Sequence, residues 1–131
     1  MKNQIVFMLD KKDIRPKLEL TAIGKTEGFQ NVTLRPILKL QHDIIILVFK
    51  NWAVKHKIKL TAMKKDELSK VLDNSFSKNN VVKNQLLGIV IGQFTADEFE
   101  EYQIDSSEYN KRIFTMIKKR LFDSFEELKN N

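Results

Sequence analysis

The side chains best placed to do chemistry are basic residues near the end of the chain. They recur at helical spacing, and they are Lys111, Arg112, Lys118, Lys119 and Arg120. Residues seven apart, such as Lys111 and Lys118, lie on nearly the same side of an α-helix, so a row of this kind can contact successive phosphate groups. The alternative is that these residues form only the solvated side of a helix whose other side is buried.

Two arginines occur in a short sequence that is nearly repeated. Residues 14–20 and 34–40 share the pattern apolar-Arg-Pro-x-Leu-x-Leu, which places Arg15 and Arg35 at equivalent positions. The pattern could pair these two arginines in an anion site. It could equally mark two similar helix starts, or arise by chance in a chain rich in leucine and lysine, because two copies are too few for a repeat architecture.

The residue inventory argues against a metal centre and against nucleophilic catalysis. His42 and His56 are the two histidines, and in a continuous helix they would lie about 21 Å apart, too far to share a metal within one chain. His42 and Asp43 could form a general-base pair, or the histidine could simply pack at the surface. There is no cysteine, and no serine stands in a Gly-x-Ser-x-Gly setting. We therefore predict no catalytic residue, metal or cofactor.

One cluster of carboxylates is also a candidate metal site. Its members are Asp97, Glu98, Glu100, Glu101 and Asp105. Such oxygens could hold Ca²⁺ or Mg²⁺, but the alternating ligand loop with a central glycine that an EF-hand needs is missing. Carboxylates near a helix N-terminus also stabilise the helix dipole, which accounts for the cluster without a metal.

Length and composition predict one globular domain. The chain has 131 residues, of which 42% are hydrophobic, and it contains no cysteine for a disulfide. The apolar run near the N-terminus is too short for a signal peptide, and residues 44–49 fall far short of the roughly 20 apolar residues that span a bilayer. We therefore expect a cytoplasmic protein without a membrane segment.

The charges are segregated along the chain, although the net charge is only +6. Residues 50–83 hold nine basic and three acidic side chains, whereas residues 94–109 hold six acidic side chains and no basic one. The basic stretch could meet phosphates. The two stretches could also lie against each other, within one chain or between two copies.

A long helix is predicted from Thr33 to about Lys57. Thr33 can serve as its N-cap, and Pro36 then falls in the first turn, where its missing N–H costs nothing. Apolar residues recur at helical spacing beyond it. A strand over residues 44–49 is the alternative, and the helix is favoured because no turn residue interrupts residues 37–58.

Four further helices are predicted to begin near Lys65, Asn80, Thr95 and Asp105. Thr95 and Glu98 have the spacing of a capping box, and Asp105 with Glu108 repeats that offset. The prediction is therefore an all-α bundle of about five helices in one domain. Residues 33–131 form the helical part, and residues 1–32 form an N-terminal segment packed on it, either as a short β-hairpin or as irregular chain.

The last predicted helix is unusually apolar on a second side. That stripe consists of Phe114, Leu121, Phe125 and Leu128. Its width indicates burial on two sides, either at the centre of the domain or in a contact with another chain. These residues are therefore candidates for an apolar interface.

Three short sequences carry a resemblance to a known group of proteins. They are NVTLRPILKLQ at residues 31–41, IGQFT at 91–95 and SEYNKR at 107–112. The chain resembles, over roughly residues 29–128, a group of small bacterial proteins of unassigned role, some of which carry an automatic "glyoxalase" label. The label implies a βαβββ metal enzyme with strand-borne His and Glu ligands. The predicted helices depart from that pattern, so no activity or catalytic residue is transferred.

Three functions are compatible with these features. The leading hypothesis is a non-catalytic protein-interaction module that binds a protein partner or a second copy of itself as a homodimer. The second is nucleic-acid binding through the basic residues of 50–83 and 111–120. The third is a glyoxalase-related protein, on the strength of the resemblance alone.

Overall fold

The computed structural model describes residues 10–16, 25–78 and 80–130, and over these ranges the chain is almost entirely helical, with no strand. The predicted all-α fold is confirmed. A 3₁₀ turn (Lys11–Ile14) occupies the described part of the N-terminal segment. The possible β-hairpin falls mostly on residues that lie outside the described ranges.

The first helical run has three parts: α1 (Lys25–Phe29), a π-helical turn (Gln30–Leu34) and α2 (Arg35–Leu40). The wide turn ends next to a proline. Pro36 has no N–H, and its ring crowds the carbonyl four residues earlier, so the helix widens there and Arg35 donates its N–H to the carbonyl of Gln30, five residues back.

The prediction that Thr33 caps the first helix is wrong. Thr33 lies inside the π-helical turn, and its buried hydroxyl donates a hydrogen bond to the carboxylate of Glu98, at 3.1 Å. Helical backbone already begins at Lys25. The predicted start of the helical part at residue 33 therefore falls within a helical run.

The next helix, α3 (His42–Lys55), continues the backbone hydrogen-bond pattern of α2. Gln41 separates the two, but its N–H donates to Ile37 and its carbonyl accepts from Ile45, both at 2.9 Å. The predicted long helix is thus present with one break, and the strand alternative for residues 44–49 is wrong.

Five further helices complete the described chain: α4 (Lys65–Lys78), α5 (Asn80–Ile91), α6 (Ala96–Ile104), α7 (Ser106–Asp123) and α8 (Phe125–Lys129). Both predicted caps are confirmed. The Thr95 hydroxyl accepts from the Glu98 N–H at 3.2 Å, and the Glu98 carboxylate accepts from the Thr95 N–H at 2.9 Å. Asp105 accepts from the Glu108 N–H at 3.4 Å.

The described ranges contain more helices than the five predicted, because α1 precedes the predicted start at Thr33 and short breaks divide two of the predicted helices. Gln41 separates α2 from α3, and Ser124 separates α7 from α8. The Ser124 hydroxyl donates to the Arg120 carbonyl at 2.7 Å, a local bond of the kind that competes with the helical ladder.

The hydrophobic core lies between α3, α4, α5 and α7, which pack on one another. Its largest fully buried side chains include Leu34, Ile45, Phe49, Leu68, Leu72, Leu86, Ile113 and Ile117. This packing fixes α7 along one side and leaves its opposite side open to α2. Within the described ranges, no helix is both long and apolar enough to cross a membrane.

Candidate basic groove

A groove of about 840 Å³ lies between α2 and α7. Its basic side chains are Arg35, Lys39, Lys111, Arg112, Lys119 and Arg120. Two carboxylates, Glu108 and Asp123, also line it, so the lining carries an excess of four positive charges. A concave surface with this excess attracts anions.

The two carboxylates are already engaged. Arg112 Nε lies 3.3 Å from Glu108, and Arg112 also donates to Gln30 at 3.1 Å. Lys119 Nζ lies 2.7 Å from Asp123, and the hydrogen bond from Lys119 lowers the pKa of that carboxyl. Both ion pairs are solvent-exposed, so they stabilise the fold little. Their cations keep unused donors that an anion can reach.

Arg35 and Arg120 bring like charges together at the groove. Burial lowers the pKa of the Arg120 guanidinium, and the positive charge of Arg35 lowers it further. The Nε of exposed Arg35 donates to Asn31 at 2.9 Å, which leaves its terminal NH₂ groups for another acceptor. An anion placed between the two guanidinium groups would relieve their repulsion.

A histidine holds Arg120 in position. Arg120 NH1 lies 3.1 Å from His42 Nδ1, and His42 Nε2 lies 2.9 Å from the carboxylate of Glu127. Because a guanidinium can only donate, Nδ1 must be the acceptor, and Nε2 then carries the proton that it donates to Glu127. Helices α3 and α8 thus support the side chain that α7 presents to the groove.

The same histidine belongs to the one group of possible metal ligands found in the described ranges. His42, Asp43 and Glu127 bring ligand atoms within 4.8 Å of one another. A metal on Nε2 would shift the ring proton to Nδ1, where it would face the N–H of Arg120. The Arg120 contact therefore opposes metal binding, and we assign the cluster to the support of Arg120.

The predicted cations of α7 divide between two sides of the helix. Lys111, Arg112, Lys119 and Arg120 line the groove, whereas Lys118 points toward α4 and forms an ion pair with Asp73 at 2.7 Å. Sequence reasoning did not select Lys39. Its spacing of four from Arg35 on α2 is the signal that could have found it.

The two arginines of the repeated pattern have different partners. Arg35 lines the groove, whereas Arg15 is buried and binds the Glu98 carboxylate through two nitrogens at 2.8 and 2.7 Å. Arg15 also donates to the carbonyl of Gln93. The predicted pairing of Arg15 with Arg35 is therefore replaced by an internal ion pair, and Arg35 contributes to the groove with the cations of α7.

The residues of the predicted apolar interface mostly pack within the chain itself. Leu121 and Leu128 are buried in the core. Phe114 packs on Phe76, with ring centroids 6.2 Å apart, and Phe125 is half-buried within the same domain. The width of the apolar stripe on α7 and α8 therefore reflects a central position in the bundle.

Exposed apolar side chains lie instead on α3. Ile44, Leu47 and Val54 expose 46%, 58% and 74% of their surface. Their spacing of three and seven residues places them along one face of the helix. From the sequence, Ile44 was placed in the periodic apolar row of this helix, whereas Leu47 and Val54 were not selected.

The fold and the groove define an all-α protein with a basic groove between α2 and α7. No protein-family model matches the chain, and neither does any curated protein or solved structure with which it was compared. The resemblance to small bacterial proteins therefore stays an expectation from the sequence. The glyoxalase label implies a strand-built metal site, whereas the described ranges are helical.

Proposed function

We propose that the protein binds single-stranded nucleic acid through the phosphate backbone, in the groove between α2 and α7. The observation that carries this proposal is the gathering of six basic side chains from two helices around two engaged carboxylates. Arg35 and Arg120 repel each other there, and a phosphate would neutralise both. Arginine donors suit phosphate oxygens because one guanidinium can bind two of them.

The spacing of the basic side chains along the groove suits an extended single strand. Lys111 and Lys119 are separated by about 12 Å along α7, so cations line a channel that an extended strand can follow. The described lining contains no aromatic side chain for a base to stack on, and its apolar members are Leu38 and Met116. Binding is therefore expected to depend on phosphates and to be insensitive to base sequence.

The direct test is a fluorescence-anisotropy titration with a labelled single-stranded oligonucleotide at two salt concentrations. We expect binding at low salt that weakens steeply as salt rises, because each phosphate contact releases a condensed counterion. A duplex of the same length is expected to bind more weakly, and a second base sequence equally well. Absence of binding at low salt would reject the proposal.

Protein interaction is a second candidate, and the exposed face of α3 favours it. Ile44, Leu47 and Val54 form an exposed apolar row on α3, with the exposed polar residue Asn51 between Leu47 and Val54. A self-complementary stripe of this kind suits a symmetric contact between two copies. We propose that this face is the homodimer contact of the protein.

Substitution of Leu47 by aspartate is expected to dissociate such a dimer, because the contact would then bury a charge on each copy. Size-exclusion chromatography with light scattering measures the change. The wild-type protein should show a mass that rises toward the dimer with concentration, and Leu47→Asp should stay monomeric. A wild-type monomer at the highest soluble concentration would contradict this second proposal.

A further inference from the structure

A second cavity, of about 730 Å³, lies where the end of α3 and the following turn meet the end of α8. Its apolar lining consists of Ala53, Val54, Ile58, Leu60 and Leu128. Three lysines, Lys50, Lys57 and Lys59, also line it, together with the polar residues Thr61 and Asn130. The volume falls in the range of small-molecule sites, which are commonly apolar with a few polar groups that orient the ligand.

The charged side chains in the described lining of this cavity are all positive. No carboxylate is found in its described lining, and Lys50 donates to the Asn130 carbonyl at 2.8 Å, which leaves its positive charge unneutralised. Lys57 and Lys59 are exposed. A ligand that fits both features must have an apolar body and an anionic end.

Lys57 has an unusual backbone for a lysine. Its φ is 59°, in the left-handed region, and it is the one non-glycine residue with positive φ in the described ranges. It ends α3 in a Schellman arrangement, in which Ile58 donates to Ala53 at 2.8 Å and Lys57 donates to Val54 at 3.1 Å. Glycine is the usual residue here, so the lysine is placed at the cavity against its backbone preference.

We propose that this cavity binds a small amphiphilic carboxylate of the fatty-acid type. The apolar chain lies against Ile58, Leu60 and Leu128, and the carboxylate lies among the three lysines. Lys50, Ala53 and Val54 of α3 and Lys57 just beyond its end line the cavity over about 10 Å along the helix axis. The inference does not depend on nucleic-acid binding, and it requires that the proposed homodimer contact, which includes Val54, leave the cavity open.

The test is calorimetric titration of the full chain with dodecanoate, below its micelle concentration, and with dodecanol as a neutral comparison. We expect one dodecanoate per chain and weaker binding of dodecanol. Lys57→Gly should weaken dodecanoate binding roughly threefold to tenfold, as expected for loss of a charged contact that is partly screened by solvent. The same variant should melt a few degrees higher, because glycine relieves the left-handed backbone.

Two valine-to-aspartate substitutions provide a matched pair. Val54 lines the cavity and is 74% exposed, so Val54→Asp should fold and should weaken dodecanoate binding by repulsion. Val81 of α5 is 76% exposed and does not line the cavity, and Val81→Asp should leave the affinity unchanged.

Three results would overturn the proposal: no saturable binding of dodecanoate, equal affinity for dodecanol, or an affinity that Lys57→Gly and Val54→Asp leave unchanged. Lys111→Ala separates this cavity from the basic groove, because Lys111 lines only the groove. If Lys111→Ala weakens dodecanoate binding as much as Lys57→Gly does, the ligand binds in the groove and the assignment to this cavity is wrong.

Discussion

Replacement of Glu98 by glutamine is expected to lower the free energy of unfolding by about 3–5 kcal/mol, the cost of breaking a buried ion pair from one side. The side chains of Arg15 and Glu98 are only 4% and 8% exposed. The neutral amide would leave the guanidinium of Arg15 buried without its counter-ion. Such a loss is a large part of the 5–15 kcal/mol that stabilises a typical domain, and urea denaturation followed by circular dichroism measures it.

A double-mutant cycle shows whether the effect comes from this pair. Arg15→Met, Glu98→Gln and the double variant should be measured together, and the double variant should lose less stability than the sum of the single ones. Glu100→Gln, at an exposed position on the same helix, is the control and should change stability by less than about 0.5 kcal/mol. Strict additivity in the cycle would show that the two side chains are not coupled.

The pair should also respond to pH. Burial tends to raise the pKa of Glu98, but the hydrogen bonds from Arg15, Thr95 and Thr33 and the charge of Arg15 together lower it below the ordinary 4.5. The carboxylate therefore stabilises the fold fully above pH 4.5, and its contribution is lost as the pH falls through the lowered value. The stability difference between wild type and Glu98→Gln should shrink in that acid range, and a difference constant with pH would contradict this assignment.

The capping function of Glu98 could be predicted from the sequence, but its ion pair could not. The spacing of Thr95 and Glu98 is local, and a local hydrogen-bond pattern fixes it. Arg15 lies 83 positions away, so only the packing of the whole chain brings it to Glu98. The same contact explains the error at Thr33, whose hydroxyl suits an N-cap but donates instead to the distant Glu98 carboxylate.

The basic groove was partly predictable for a similar reason. Helical spacing grouped the cations of α7, but it did not tell which neighbouring helix each would face. Residues seven apart drift by about 20° around a straight helix, and Lys118 lies on the side where Asp73 of α4 meets it. The position of α2 across the groove depends on the π-helical turn and the break at Gln41, neither of which was predicted.

Removal of two groove lysines is expected to weaken binding of single-stranded nucleic acid roughly tenfold at low salt. In the double variant Lys39→Ala with Lys111→Ala, both positions are exposed and neither forms an ion pair with a residue of the described ranges. The fold should therefore be unaffected. Two fewer phosphate contacts should also reduce the slope of log K against log salt by about 1.4, since each contact to a single strand contributes about 0.7.

The matched control removes two lysines elsewhere. Lys70 of α4 and Lys118 of α7 do not line the groove, and replacing both by alanine changes the net charge by the same amount. If a general attraction by the positive chain caused binding, both double variants would lose affinity equally. If the groove is the site, Lys70→Ala with Lys118→Ala should keep nearly the wild-type affinity and salt slope, because neither lysine lines the groove.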